Sequence, residues 1–123
     1  MNYSGLELAS VVKVAIDMAA VDGFFADEER VLITNELSKF GVDPLQAAQL
    51  LIRARDMKPS EAISIIGKMN SEQKKYVSGF LAAIMVSDGN IAESEVKLWT
   101  LVSLFASLPD MDVAEALEFW NTH

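Results

Sequence analysis

The chain contains no cysteine, and its one histidine is its last residue. Without thiols there is no disulfide, no cysteine-ligated zinc and no thiolate nucleophile. His123 is expected to be exposed, because side chains at chain ends are rarely held with the precision that proton transfer demands. Acid–base chemistry would then fall to carboxylate pairs or a metal-activated water. No spacing in the sequence assembles either, so a non-enzymatic protein is expected.

Long apolar runs are also missing. The longest uncharged stretches, Tyr76 to Ser87 and Leu98 to Pro109, are twelve residues each, well short of the roughly 18 needed to span a bilayer. Met1 to Leu8 carries Glu7 and no lysine or arginine, the wrong charge for a secretory leader. No membrane insertion and a cytoplasmic location follow as expectations. Basic residues are few: 10 against 18 acids, for a net charge of −8. Such a chain repels phosphate backbones, so a protein partner or a cation is expected and nucleic acid is not. The acids gather at the ends, with seven acids against three bases in residues 1–40 and seven against one in 88–123.

What the chain does have is apolar content, 51% hydrophobic over 123 residues, enough for one core and a single domain spanning 1–123. Strand alternation is nowhere sustained, whereas helix punctuation is dense. Asp43-Pro44-Leu45-Gln46 reads as an N-cap, a first-turn proline and a capping glutamine, and Asp112 with Glu115 repeats the pattern. Gly41 and Gly67 are expected to end helices in left-handed turns, and Pro109 to block continuation. Helices are predicted at roughly 4–21, 27–40, 44–55, 59–67, 71–87, 93–107 and 111–121, an all-α bundle of about seven helices in two related halves. Tyr76 to Val86, apolar on nearly every side, is the predicted core axis.

The halves are related by a repeat. A shift of 66 residues aligns Asp22-Gly23-Phe24-Phe25-Ala26-Asp27-Glu28-Glu29 with Asp88-Gly89-Asn90-Ile91-Ala92-Glu93-Ser94-Glu95. In each copy an apolar helix leads through an acidic Asp-Gly loop into a second helix. Two readings of these loops stay open. In the structural one, glycine reverses the chain, Phe25 or Ile91 anchors the loop, and the following acids favour the positive end of the next helix. Glu29 and Glu95 then stand where a capping-box acid reaches back to a free N–H.

In the functional reading, Asp-Gly, an apolar residue two places on and a final Glu make the second half of a calcium-binding EF-hand loop. Its first half is missing, because Met18, Ala20, Ile84 and Val86 stand where oxygen ligands belong. A standard EF-hand is excluded. Two half-loops facing each other can still share one hard cation, Ca2+ or Mn2+, or each can hold one weakly through water, by way of Asp22, Glu29, Asp88 and Glu95, supported by Asp27, Glu28 and Glu93. Phe24, whose counterpart is Asn90, is the candidate partner-binding residue, against the alternative that it folds over the core. Trp99 and Trp120 fall on apolar faces and are expected in the core.

Val21-Asp22-Gly23 to Glu29 and Ser87-Asp88-Gly89 to Glu95 resemble the paired motifs of the TerB-like family, the helical domains of tellurite-resistance proteins. Such domains also occur at the N-terminus of a membrane-anchored DnaJ-type co-chaperone. The resemblance covers roughly residues 6–108. It implies an all-helical bundle of two halves, an acidic face that binds divalent metal, and a role in stress response or protein assembly. By position it carries the acidic-site role to Asp22, Glu29, Asp88 and Glu95. The chain departs from the family in having Val21 and Ser87 before the aspartates, and Ala26 and Ala92 where a Ser, Thr or Asp cap is common. Losing that cap costs about 1 kcal/mol per helix and removes an oxygen near the implied metal. A metal-independent protein-interaction module is the alternative.

Overall fold

Four helices begin in the same way. Ser4 with Glu7, Asp43 with Gln46, Asn70 with Gln73 and Asp112 with Glu115 form reciprocal capping boxes. In each, the cap side chain accepts the third helical N–H, and the third side chain accepts the cap N–H. In the first, Glu7 N donates to Ser4 Oγ at 3.1 Å and Ser4 N to Glu7 Oε1 at 2.8 Å, satisfying two amides that a helix start otherwise leaves orphaned. The computed structural model describes residues 2–21, 27–87 and 92–123. Among these, the helices are α1 (Gly5–Ala19), α2 (Asp27–Lys39), α3 (Pro44–Asp56), α4 (Pro59–Gly67), α5 (Ser71–Val86), α6 (Glu93–Phe105) and α7 (Val113–Thr122). The protein is all-helical, close to the predicted boundaries, and no helix among the described residues is long and apolar enough to cross a membrane.

The repeat persists in the helix ends. α5 starts 66 residues after α1, and α6 starts and stops 66 residues after α2. Both second helices close in one hydrogen-bond pattern. Val42 N donates to Leu37 O at 3.2 Å and Gly41 N to Ser38 O at 3.0 Å; Leu108 N donates to Ser103 O at 2.9 Å and Ser107 N to Leu104 O at 3.4 Å. This is a Schellman turn, which needs a left-handed residue after the helix. Copy one uses Gly41 at φ 77°, whereas copy two forces Ser107 to φ 53°. A Cβ makes that region unfavourable by roughly 1–2 kcal/mol, part of which glycine's freer unfolded chain takes back. Ser107→Gly is therefore expected to stabilise the fold by about 0.5–1 kcal/mol, read as a higher urea midpoint at unchanged m; a lower midpoint refutes the strain at this turn.

The duplicated unit is larger than the helix-loop-helix expected from sequence. α3 packs back on α1 and α7 on α5, each opened by an aspartate capping box, so each half is a three-helix unit and α4 joins them. α5 is the axis: every residue from Tyr76 to Met85 is buried. Its Ser78 and Gly79 do not interrupt the packing. An ideal Cβ on Gly79 would lie 2.3 Å from the Ala116 carbonyl oxygen and 2.6 Å from Trp120 Cβ, so α7 crosses α5 at a distance only glycine permits. Gly67 corrects an expectation. It ends α4 inside the helix, without a positive φ, and its missing side chain faces the Ala106 backbone at 3.6 Å.

The two tryptophans divide. Trp99 is buried and donates from Nε1 to Ser78 O at 3.2 Å; Trp120 is only partly covered. On the outer surface, Leu101, Leu104 and Phe105 of α6 and Leu45 and Ile52 of α3 remain exposed.

Candidate binding groove

α2 is poor in apolar residues, and its buried stripe shows how it is held. That stripe reads Glu29, Ile33, Glu36 and Leu37, with helical spacing but two carboxylates in it. Burying a carboxylate requires donors, and those of Glu36 come from the second half. The Tyr76 hydroxyl of α5 donates to Oε1, and Trp120 Nε1 of α7 donates to Oε2 at 3.1 Å. Lys39 Nζ, half-exposed, lies 3.5 Å from Oε2 and 4.6 Å from the centre of the Trp120 ring. Burial first, then hydrogen bonding to and the charge of Glu36, holds the Tyr76 phenol well above its ordinary pKa of 10.0. Tyr3 shifts in the same direction, through burial and then the charges of Glu7 and Glu36. Tyr3, Phe40 and Tyr76 stack edge-on around this cluster, with centroids 5.2 and 5.7 Å apart for the Phe40 pairs.

The cluster fixes α2 and α7 across the end of α5 and leaves a groove between them of about 420 Å³. Val31 and Leu32 of α2 and Leu117 and Trp120 of α7 form its walls, and Ala83 and Val86 of α5 its floor. Val31 is 57% exposed there. Glu28, just past the first acidic loop, and Ser87, just before the second, line the same groove. The described flanks of both loops therefore reach one site, which only the association of the two halves creates.

Of the residues expected to form a metal site, Asp22 and Asp88 lie outside the described residues, as does the partner candidate Phe24. Asp27 and Glu28 are exposed on the first turn of α2, and Glu93 is exposed and paired with Lys97 at 3.4 Å. Glu29 and Glu95, the matched acids of the repeat, occupy the third position of their helices and are each only 4% exposed. Neither is an unpartnered charge. Ala92 stands at the α6 N-cap and contributes no side-chain bond, as the alanine there implied. Among the described residues no group of three or more acids or histidines is arranged to hold a metal ion. His123 is exposed and stacked on Phe119 at 3.9 Å.

Sequence reading missed Glu36, its donors and the groove. The signal for Glu36 was present: it stands seven residues after Glu29 and three after Ile33, on the stripe that faces inward. Its partners, 40 and 84 residues away in sequence, carry no mark of the contact.

No protein-family model matches the chain, and no curated protein does. A crystal structure of a protein of unknown function from Porphyromonas gingivalis is similar over its whole length, with a TM-score of 0.85 at 37% sequence identity, covering 100% of this chain and 99% of that one. With that identity over this extent, this protein belongs to the same family as the one from Porphyromonas gingivalis.

Proposed function

We propose that the chain is a non-enzymatic binding module of the TerB-like kind, and that its ligand is a segment of another protein seated in the groove between α2 and α7. The observation that carries this reading is the meeting of both repeat flanks, at Glu28 and Ser87, on one exposed apolar groove. Apolar grooves rimmed by polar groups are the usual form of a peptide site. Leu104 and Phe105 of α6 are also exposed and form the rival surface. The test is photo-crosslinking in the native host, with a photoreactive residue installed in place of Val31 or, separately, Leu104. Discrete protein adducts are expected from position 31. Adducts from position 104 alone would move the site to α6, and none from either would end the reading.

A second reading is supported by Glu29 and Glu95. Two carboxylates buried at equivalent places in both copies are compatible with a shared Ca2+ or Mn2+ site completed by Asp22 and Asp88, in a stress-response role. Titration of metal-free protein with either ion is expected to shift the amide resonances flanking both loops; unchanged spectra at millimolar metal exclude it.

A further inference from the structure

The walls of the groove come from the two acidic stretches of the chain. α2 opens with Asp27, Glu28 and Glu29, and α7 carries Glu115 and Glu118 with no base. Among the described residues that line the groove, Glu28 is the charged one, and the others are apolar or neutral polar. Of the nearby bases, Lys39 is held by Glu36 and by the Trp120 ring, and neither Arg30 of α2 nor Lys75 of α5 lines the groove. An apolar floor with its one lining carboxylate, Glu28, at one end, set between two acid-rich helices, complements a ligand of the opposite charge pattern.

From this we infer that the occupant is an amphipathic helix with a basic polar face, its aliphatic side chains lying on Val31, Val86 and Leu117 and its lysines or arginines directed to the Glu28 end. The inference rests on the binding-module reading and names the chemistry of the partner. A helix suits the site because its backbone amides and carbonyls are paired internally. An extended segment would bring unpaired amides onto an apolar floor, and the described residues offer no strand edge to receive them. A second copy of this chain is disfavoured by its own charge of −8.

Three synthetic peptides of equal length provide the test: a leucine–lysine amphipathic helix, its leucine–glutamate counterpart, and a scrambled leucine–lysine sequence of the same charge. The first is expected to shift the amide resonances of Val31, Ala83 and Leu117 and to bind at least tenfold tighter than either control. Val31→Glu separates docking from simple charge attraction. It adds a negative charge at an exposed position, so pure electrostatics predicts tighter binding, whereas blocked apolar contact weakens it at least tenfold. Equal binding of the glutamate or scrambled peptide, or unchanged or tighter binding by Val31→Glu, overturns the basic-helix inference. So do shifts of the same amides with protein concentration alone, which would make the occupant a second copy. Adducts at position 31 combined with failure of the leucine–lysine peptide would leave the binding module standing and remove only its partner chemistry.

Discussion

Gly79→Ala is expected to lower stability by about 3 kcal/mol, at the upper end of what overpacking usually costs, and to loosen α7 from α5. The added methyl would meet a backbone oxygen at 2.3 Å, and a carbonyl cannot rotate away as a flexible side chain does. Relief requires α7 to move as a body, which withdraws Trp120 from Glu36 and widens the groove. The measurements are a urea unfolding curve and hydrogen exchange along α7, which should accelerate there before elsewhere. Gly67→Ala is the matched control. Its new methyl would sit 3.6 Å from the Ala106 oxygen, ordinary contact distance, so a change within about 0.5 kcal/mol is expected. Equal tolerance at both glycines would contradict the close crossing.

Glu36→Ala is expected to have an effect at least as large, about 3–5 kcal/mol, because it leaves the Tyr76 hydroxyl and the Trp120 indole N–H without their acceptor. Against a typical total of about 5–15 kcal/mol, that is enough to leave a marginal fold. The penalty comes from orphaned donors rather than from a lost attraction. The repeat supplies the check: where copy one has Glu36, copy two has Val102, buried in the core and apolar. Glu36→Leu combined with Tyr76→Phe and Trp120→Phe should therefore recover most of the stability that Glu36→Ala loses. Failure to recover would mean that the ionic cluster itself stabilises the fold.

The same cluster sets an alkaline limit. The Tyr3 and Tyr76 phenols titrate above their ordinary 10.0 in the folded state, so their contribution is complete below pH 10 and is lost as the pH rises past that value. Phenolate absorbance should appear together with unfolding, and Glu36→Leu, which removes an acceptor and a charge that help to raise these phenols, should bring it to lower pH.

Local signals placed the helices. Capping pairs at Asp43 and Asp112, the proline at position 44 and the uncharged run from Tyr76 each act within one or two turns, so they are legible without the fold. The 66-residue shift was equally legible, because duplicated helices keep their register in sequence. Gly41 was read correctly as a left-handed turn and Gly67 was not, since a glycine that ends a helix and one that admits a neighbouring backbone look alike in one dimension.

The chain by itself determined the number, length and register of its helices, because capping and amphipathic periodicity are satisfied between near neighbours. It also determined an excess of acid at both ends. Only the tertiary structure decided that these acidic ends become the two walls of one groove, that Gly79 is a crossing point, and that Glu36 is buried against Tyr76 and Trp120. Those properties depend on how α1 and α5 pack the halves together. Hydrophobic burial rewards that packing as a sum over many residues, and no single position in the sequence records it.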